Sequence, residues 1–204
     1  MKSQAKGTFI VLEGIDGAGT TTQSSLLGEA LRRQHYHVCQ TREPSDGVIG
    51  SWTRLQLQNN QLTEESFALL FAADRNDHLA KTILPNLEQG NVVVSDRYVL
   101  SSFVYQSIHL PLAWVKKINE FAVPASLTIF LKIDPEVAAQ RRSKRGVSAE
   151  FFEKPERLLK TAERYDELLQ DPFLGPVMTV DAHQGIFETA ENILSLVKNF
   201  LESR

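Results

Sequence analysis

The sequence has little cysteine, no long apolar run and no excess of positive charge. Cys39 is the only cysteine in 204 residues, so an intrachain disulfide is impossible and a reducing compartment is expected. No apolar run approaches the roughly 20 residues that cross a membrane, and residues 1–6 lack the apolar core of a signal peptide. Lys and Arg total 22 against 25 Asp and Glu, a balance that argues against a general binder of nucleic acids or membrane surfaces. We therefore expect a cytoplasmic protein without nucleic-acid or membrane partners.

Short apolar or β-branched segments alternate with helical patterns from end to end. Strands are predicted at 9–12, 36–40, 91–95, 127–133 and 177–180. Helices are predicted at 23–33, 63–89, 112–121, 135–144, 150–169 and 186–201, with Pro85 bending or interrupting the second. This alternation predicts a three-layer α/β fold, with a five-stranded, mostly parallel sheet and helices on both faces. The length and the lack of repeats or linkers predict a single domain, 1–204.

A glycine-rich segment directly follows the first predicted strand. Gly14 and Gly19 have the spacing of a Walker A phosphate loop, and Thr21 stands where a hydroxyl usually ligates magnesium. Thr20 stands where the pattern has lysine, and its side chain carries no charge and is too short to follow a transferring phosphoryl group. The N–H groups of such a loop, and the positive end of the following helix dipole, favour a polyanion. The predicted ATP-phosphate site comprises Gly14, Ile15, Asp16, Gly17, Ala18, Gly19, Thr20, Thr21 and Thr22.

Charged residues follow two other predicted strands, at the sheet edge where open parallel sheets bind ligands. Arg42 follows the second strand and is suited either to fork onto a phosphate or to pair with Glu43 on the surface. Asp96 and Arg97 follow the third strand, where a carboxylate can hold magnesium together with Thr21 and an arginine can bind a second phosphate. A purely structural ion pair between Asp96 and Arg97 is the alternative. The five histidines are scattered, so no histidine metal cluster is expected.

Two further sets of residues lie on predicted helices. Phe71 and Arg75 are four residues apart and share a face, so they can stack on and hydrogen-bond a planar base. Spacing alone favours a simpler arrangement, a core phenylalanine beside an exposed arginine. The helix that begins after Asp134 ends in a basic cluster of Arg141, Arg142, Lys144 and Arg145. These cations suit the helix dipole by themselves, but they can also replace the charge of the missing lysine.

Taken in this order and at these spacings, the segments resemble the thymidylate kinase family, P-loop enzymes that transfer the γ-phosphoryl group of ATP to dTMP. The resemblance covers nearly the whole chain and rests on 12–17, 41–44, 71–75, 96–98, 101–102, 105–106, 141–146 and 163–165. It implies Mg²⁺ with ATP as co-substrate, a homodimer, and a lid at about 141–153. Because Gly17 and Ala18 leave the phosphate loop without arginine, the chain is similar to the type, common in bacteria, that carries the catalytic arginine in the lid.

The resemblance also implies a role for individual side chains. In the acceptor site, Asp16 binds the 3′-hydroxyl, Arg42 and Arg97 hold the monophosphate, and Phe71 stacks on thymine while Arg75 reads its exocyclic oxygen. Tyr105 crowds the 2′ position of the sugar. The implied substrate-binding set is Asp16, Arg42, Phe71, Arg75, Arg97, Ser101, Ser102, Tyr105 and Gln106. The implied catalytic set is Asp96, Arg97, Arg141 and Arg142, the metal set is Thr21 and Asp96, and Arg145 is placed near the adenine.

Two other functions compete with dTMP phosphorylation. A related kinase acting on another nucleoside monophosphate or on a deoxynucleoside is one, although Arg42 and Arg97 together favour an acceptor that already carries a phosphate. The other is a nucleotide-binding protein without catalysis, because Thr20 removes the loop's cation.

Overall fold

A computed structural model of the chain describes residues 7–59, 61–144 and 155–203. Its strands are β1 Thr8–Glu13, β2 Val38–Arg42, β3 Val92–Asp96, β4 Leu127–Lys132 and β5 Val177–Asp181. Its α-helices are α1 Thr20–Arg33, α2 Val48–Asn59, α3 Glu64–His78, α4 Leu84–Glu88, α5 Val99–Gln106, α6 Leu112–Ile118, α7 Pro135–Ser143, α8 Pro155–Leu168 and α9 Ile186–Glu202. A π-helical turn, Leu79–Ile83, joins α3 to α4, and a 3₁₀ turn, Pro172–Leu174, precedes β5.

The five strands form one sheet in the order β2-β3-β1-β4-β5, with every neighbouring pair parallel. Every residue of β1 and of β3 is buried. Because successive side chains of a strand point to opposite faces, burial of every residue means that both faces of the sheet are covered. The predicted α/β fold with a parallel five-stranded sheet is therefore confirmed.

Some boundaries differ from those that the sequence predicts. Strand β2 lies two residues later than predicted, so Arg42 is its last residue rather than the second residue after it. Pro85 does not stop the long helix: the chain passes through the π turn, closed by Leu84 N donating to Leu79 O, and Pro85 is the second residue of α4. A wider turn accommodates the proline because it has no N–H to donate and its ring crowds the preceding turn. Helices α2 and α5 were not predicted. Residues 145–153 of the predicted lid, including Arg145, lie outside the described residues.

The phosphate loop follows β1, which lies between β3 and β4. Strands β2 and β3 lie on one side of β1, and strands β4 and β5 lie on the other. The strand order therefore changes direction at β1. Such a switch point forms a crevice beyond the carboxyl ends of the strands. The last residues of β1 and β3, Glu13 and Asp96, are both buried there, and Arg97 follows with φ of 68°.

Candidate nucleotide-binding site

The loop between β1 and α1 has the backbone geometry of a phosphate site. Gly17 and Gly19 have φ of 96° and 100°, in the left-handed region that favours glycine. Gly19 is the N-cap of α1, so the first N–H groups of the helix face the loop. A Cβ at Gly17 would lie 2.4 Å from the carbonyl oxygen of Ala138 in α7. No side chain, and therefore no arginine, fits at position 17 without moving α7.

Thr21 and Asp96 meet beside the loop, although they come from different elements. Thr21 Oγ1 donates to Asp96 Oδ2 at 2.5 Å. The other carboxylate oxygen, Asp96 Oδ1, is buried and accepts no hydrogen bond from the residues described. A hydroxyl and a carboxylate with a vacant acceptor position are oxygen ligands that suit Mg²⁺. Among the described residues no group of three or more His, Cys, Asp and Glu side chains could hold a metal.

One pocket, the loop pocket, is lined in part by the phosphate loop and has a volume of about 300 Å³. Its lining is Gly17, Ala18, Gly19, Thr22, Gln23, Arg141, Lys144, Ala182, Gln184, Gly185, Ile186 and Thr189. Gln23 Nε2 donates to Ile186 O at 2.9 Å and so ties α1 to the segment after β5. Arg141 Nη2 lies 3.4 Å from His183 O and 3.5 Å from Gln184 O in the same segment.

The basic residues of α7 therefore occupy different places. Arg141 and Lys144 line the loop pocket, whereas Arg142, half-buried on the same helix, is not among the described residues that line it. Thr20 is buried at the start of α1 and offers the loop a hydroxyl but no charge. Among the described residues that line the loop pocket, Arg141 and Lys144 are the charged ones.

A second pocket, the aromatic pocket, has a volume of about 390 Å³ and lies beyond the ends of β2 and β3. All nine residues implied as substrate-binding line it: Asp16, Arg42, Phe71, Arg75, Arg97, Ser101, Ser102, Tyr105 and Gln106. Thr21 and Asp96 line it as well, so the pocket opens onto the phosphate loop. Residues that were not predicted to bind the substrate complete the wall: Glu43, Pro44, Arg54, Leu57, Glu64, Phe67, Tyr98 and Arg157.

Phe71 and Arg75 are arranged differently from the simpler expectation of a core ring beside an exposed guanidinium. Arg75 is only 1% exposed, whereas Phe71 is half-buried and lines the pocket, with Phe67 edge-on at 5.4 Å between ring centroids. Arg75 Nε and Nη2 contact Glu43 Oε2 at 2.9 and 2.7 Å, and Nη2 donates to Ser102 Oγ at 2.9 Å. Its Nη1 donates to Asn119 Oδ1. A rigid guanidinium therefore lies at the inner wall of the pocket.

Arg42 does not pair with Glu43, because Glu43 is buried against Arg75 and His78. Arg42 instead donates to Asp46 Oδ1 through Nε at 3.1 Å and Nη2 at 2.6 Å. The hydrogen bond from Arg42 and its charge hold the pKa of Asp46 below the usual range, so this carboxyl stays ionised near neutral pH. Half of the Arg42 side chain is exposed, and an incoming anion competes for it with only a surface carboxylate.

Arg97 is more tightly held than Arg42. Its Nη2 donates to Asp16 Oδ1 at 2.5 Å, and its Nη1 contacts Gly14 O at 2.9 Å and Ser101 Oγ at 3.0 Å. The guanidinium lies 5.4 Å from the centre of the Tyr105 ring, and the Tyr105 hydroxyl donates to Asp16 Oδ1 at 3.2 Å. Arg97 thus pairs with Asp16, and Asp96 pairs with Thr21, which rules out the structural Asp96–Arg97 ion pair in this structure.

The sequence assigned no role to three other contributors, Arg54, Phe67 and Tyr165. Arg54 lies on the unpredicted helix α2 and donates to the carbonyl oxygens of Pro44 and Ser45, so it supports the turn after Arg42. Phe67 lies four residues before Phe71, and this i, i+4 spacing was the available signal. Tyr165 on α8 contacts Arg97 at 3.2 Å, which no local pattern indicates.

A parallel sheet with a phosphate loop at its switch point, and pockets lined by the same loop on its two sides, defines a nucleotide kinase of the P-loop class. A sequence profile described as "Thymidylate kinase" matches residues 12–193. The chain is 40% identical to a "Probable thymidylate kinase" of Pyrococcus abyssi over 96% of this chain and 98% of the relative. It is 36% identical to a "Thymidylate kinase" of Thermoanaerobacter sp. over 96% of this chain and 100% of the relative. The chain belongs to the thymidylate kinase family, whose members are ATP-dependent nucleoside monophosphate kinases.

No helix in the described part of the chain is both long enough and apolar enough to cross a membrane.

Proposed function

We propose that this chain transfers the γ-phosphoryl group of ATP to dTMP, forming dTDP and ADP. The observation that carries the proposal is the aromatic pocket, where Arg42 and Arg97 lie near the phosphate loop and Phe71 and Arg75 lie together as a stacking ring and a buried hydrogen-bond donor. A nucleoside monophosphate matches this arrangement because its phosphate needs cations and its base needs a planar surface with a polar partner.

The acceptor is held by charge at one end and by shape at the other. Arg97 and Arg42 bind the monophosphate, and the acceptor phosphate displaces Arg42 from Asp46, a surface pair that costs little to break. Phe71 stacks on thymine, and Arg75, Ser102 and Gln106 face the edge of the base. Gln106 Oε1 is buried and has no hydrogen-bond partner among the described residues, so it can accept from a base N–H.

Asp16 and Tyr105 hold the sugar. The Asp16 carboxylate accepts from Arg97 and Tyr105 through Oδ1, which leaves Oδ2 to accept from the 3′-hydroxyl. Tyr105 occupies the space near the 2′ position, and Ser101 supports Arg97 beside the phosphate.

ATP binds with its phosphates on the backbone of the phosphate loop, residues Gly14–Thr22, and its adenosine in the loop pocket. Thr21 and Asp96 would hold Mg²⁺, which when bound neutralises part of the charge on the ATP phosphates. Phosphoryl transfer then depends on alignment and charge compensation more than on covalent chemistry. We assign charge compensation to Arg97 and to the basic cluster of α7, Arg141, Arg142 and Lys144, in place of a lysine at position 20. Arg145, proposed from the resemblance to lie near the adenine, is outside the described residues.

Residues 1–204 are proposed to act as one kinase domain with a lid at about 141–153. A cytoplasmic location stays a prediction from the single cysteine.

We also propose a homodimer. Val48, Trp52 and Leu55 on α2 are 87%, 47% and 50% exposed and have the i, i+4, i+7 spacing of one helix face.

The proposal is tested by measuring ADP formation with Mg·ATP against a panel of nucleoside monophosphates and deoxynucleosides, for the native chain and for Thr20→Lys. Turnover of dTMP well above the other acceptors is the expected result for the native chain. Turnover with a different acceptor would make this a kinase of another specificity.

Thr20 favours one alternative, a protein that binds nucleotides without catalysis. Nucleotide binding without ADP formation in the native chain, together with turnover by Thr20→Lys, would establish that alternative.

The source of the compensating charge can be tested with Arg141→Ala, Arg142→Ala and Lys144→Ala, beside Lys81→Ala as a control that removes an exposed charge from the π turn. We expect turnover to fall about tenfold or more in at least one of the three α7 variants and to stay constant in the control. Constant turnover in all four would place the compensating charge elsewhere.

A further inference from the structure

Glu13, the last residue of β1, is buried completely and accepts four hydrogen bonds. Its Oε1 accepts from the backbone N–H groups of Tyr98 at 2.9 Å and Ser101 at 3.2 Å. Its Oε2 accepts from the hydroxyls of Ser101 at 2.7 Å and Tyr165 at 3.0 Å. One carboxyl group therefore joins β1 to the start of α5 and to α8. Nothing in the proposed chemistry uses Glu13 directly.

The two hydroxyls that Glu13 binds are also the ones that contact Arg97. Arg97 Nη1 lies 3.0 Å from Ser101 Oγ and 3.2 Å from Tyr165 Oη, and the two hydroxyl oxygens are 3.1 Å apart. Each hydroxyl has a single proton to donate. When both protons point to Glu13, both hydroxyl oxygens present lone pairs to the guanidinium. The Glu13 carboxyl group then decides which atom donates in each hydrogen bond among Glu13, the two hydroxyls and Arg97.

The contacts of its two terminal nitrogens also fix the plane of the Arg97 guanidinium. Its Nη1 faces three acceptors, Gly14 O, Ser101 Oγ and Tyr165 Oη, while Nη2 is held by Asp16. None of these contacts involves Nε, which carries a further N–H donor. A planar guanidinium held at both terminal nitrogens has little freedom to turn.

We propose that Tyr165 and Glu13 are positioning residues for Arg97: they orient its guanidinium toward the acceptor phosphate without touching the substrate. The inference rests on the proposed function, because it assumes that Arg97 binds that phosphate. Tyr165 is 0% exposed and comes from α8, so the helix that follows the basic cluster contributes to the acceptor site through this hydroxyl. Burial raises the pKa of Tyr165, which keeps the hydroxyl protonated and able to donate to Glu13.

The test is Tyr165→Phe, which removes one hydroxyl and keeps the ring. Affinity is measured by calorimetry for dTMP and, by competition, for thymidine, which lacks the phosphate. We expect dTMP to bind about tenfold more weakly, because one hydrogen bond that orients a charged group is lost, and thymidine to bind unchanged. The value of kcat falls with dTMP affinity, because a turned guanidinium also misaligns the reacting phosphates.

Thr161→Val is the matched control. Thr161 is buried on the same helix, one turn earlier, and its hydroxyl donates only to Arg157 O within the helix, so the control also removes one buried hydroxyl from α8. It should leave the ratio of dTMP to thymidine affinity unchanged. Glu13→Gln is the second variant, since its amide donates hydrogens where the carboxylate accepts them, and it should reduce the same ratio.

The outcomes separate this inference from the function on which it rests. A native chain that binds no dTMP overturns both. If the native chain binds and phosphorylates dTMP while Tyr165→Phe keeps the native affinity ratio, only the positioning role is overturned. Equal losses for dTMP and thymidine in Tyr165→Phe also overturn it, since they indicate a general structural defect.

Discussion

Arg75 is the largest side chain that the fold buries completely, and it keeps its charge there through a set of specific contacts. Glu43 supplies the opposite charge, while Ser102 and Asn119 accept further hydrogen bonds from the guanidinium. Asn119 is itself oriented, because its Nδ2 donates to Val115 O at 2.8 Å and its oxygen must then face Arg75. A buried charge without a partner is energetically costly, so removing the residue that compensates it strongly destabilises the protein.

We expect Glu43→Gln to lower the free energy of unfolding by about 3 kcal/mol, because Arg75 would remain buried without a countercharge. The measurement is urea denaturation of the protein without ligands. Asp46→Asn is the control, since it removes a carboxylate from an exposed pair with Arg42 and should change stability by less than about 1 kcal/mol. Equal losses of unfolding free energy in the two variants would mean that the buried pair of Glu43 and Arg75 contributes no more to stability than the exposed pair.

Helix α7 is held against the phosphate loop, and this contact explains the glycine at position 17. The Ala138 carbonyl lies where a Cβ of residue 17 would be, only 2.4 Å away. The same helix brings Arg141 and Lys144 to the loop pocket. Close approach of α7 therefore excludes a side chain at position 17 and also places Arg141 and Lys144 in the lining of the loop pocket.

Gly17→Ala and Gly19→Ala separate this contact from backbone strain. Both glycines have φ near 100°, so each substitution costs about 1–2 kcal/mol in strain. A Cβ at Gly19 meets nothing within 4 Å, whereas a Cβ at Gly17 collides with α7. We expect Gly17→Ala to lower the unfolding free energy by about 1–3 kcal/mol more than Gly19→Ala, and to raise the KM for ATP as α7 moves. Similar losses of stability would show that α7 yields without cost.

At the scale of the whole molecule, the exposed face of α2 gives the proposed homodimer a specific surface. Leu55→Asp places a charge on this face, and a buried charge without a partner opposes association. We expect a dimer for the native chain and a monomer for Leu55→Asp in light scattering coupled to gel filtration. Phe187→Asp is the control, because Phe187 is 75% exposed on α9 and lies outside the α2 face. If both substituted chains and the native chain elute with the same mass, α2 does not form the interface.

Much of the fold could be predicted because its signals are local. Alternating apolar runs and helical periodicities predicted the parallel sheet, and the spacing of Gly14 and Gly19 predicted the phosphate loop. Helix α5 was missed although its apolar residues Val99, Leu100, Phe103 and Val104 recur at i, i+4 spacing, because eight residues give only about two turns of that pattern. Strand β2 was placed two residues early because Tyr36 favours strands by its residue type, whereas the strand pairs with β3 only from Val38 onward.

Some features of the candidate site could likewise be predicted from the sequence, and others could not. Arg42, Arg97, Asp96 and Thr21 could be named because residues after parallel strands share one edge of the sheet. Their partners could not, since the neighbour in sequence was the wrong choice for Arg42, which pairs with Asp46 while Glu43 pairs with Arg75. Which of two carboxylates an arginine meets depends on the directions in which the side chains leave the backbone.

The sequence by itself determined the order of the five strands, the phosphate loop and the absence of its lysine. Each of these is a property of a residue or of a short spacing, and it does not depend on how distant parts pack. Only the tertiary structure decided that Arg141 and Lys144 line the loop pocket, that Arg75 is buried, and that Tyr165 meets Arg97 across 68 residues of chain. Contacts of that kind arise when helices pack on the sheet, and no pattern along the chain specifies which side chains the packing brings together.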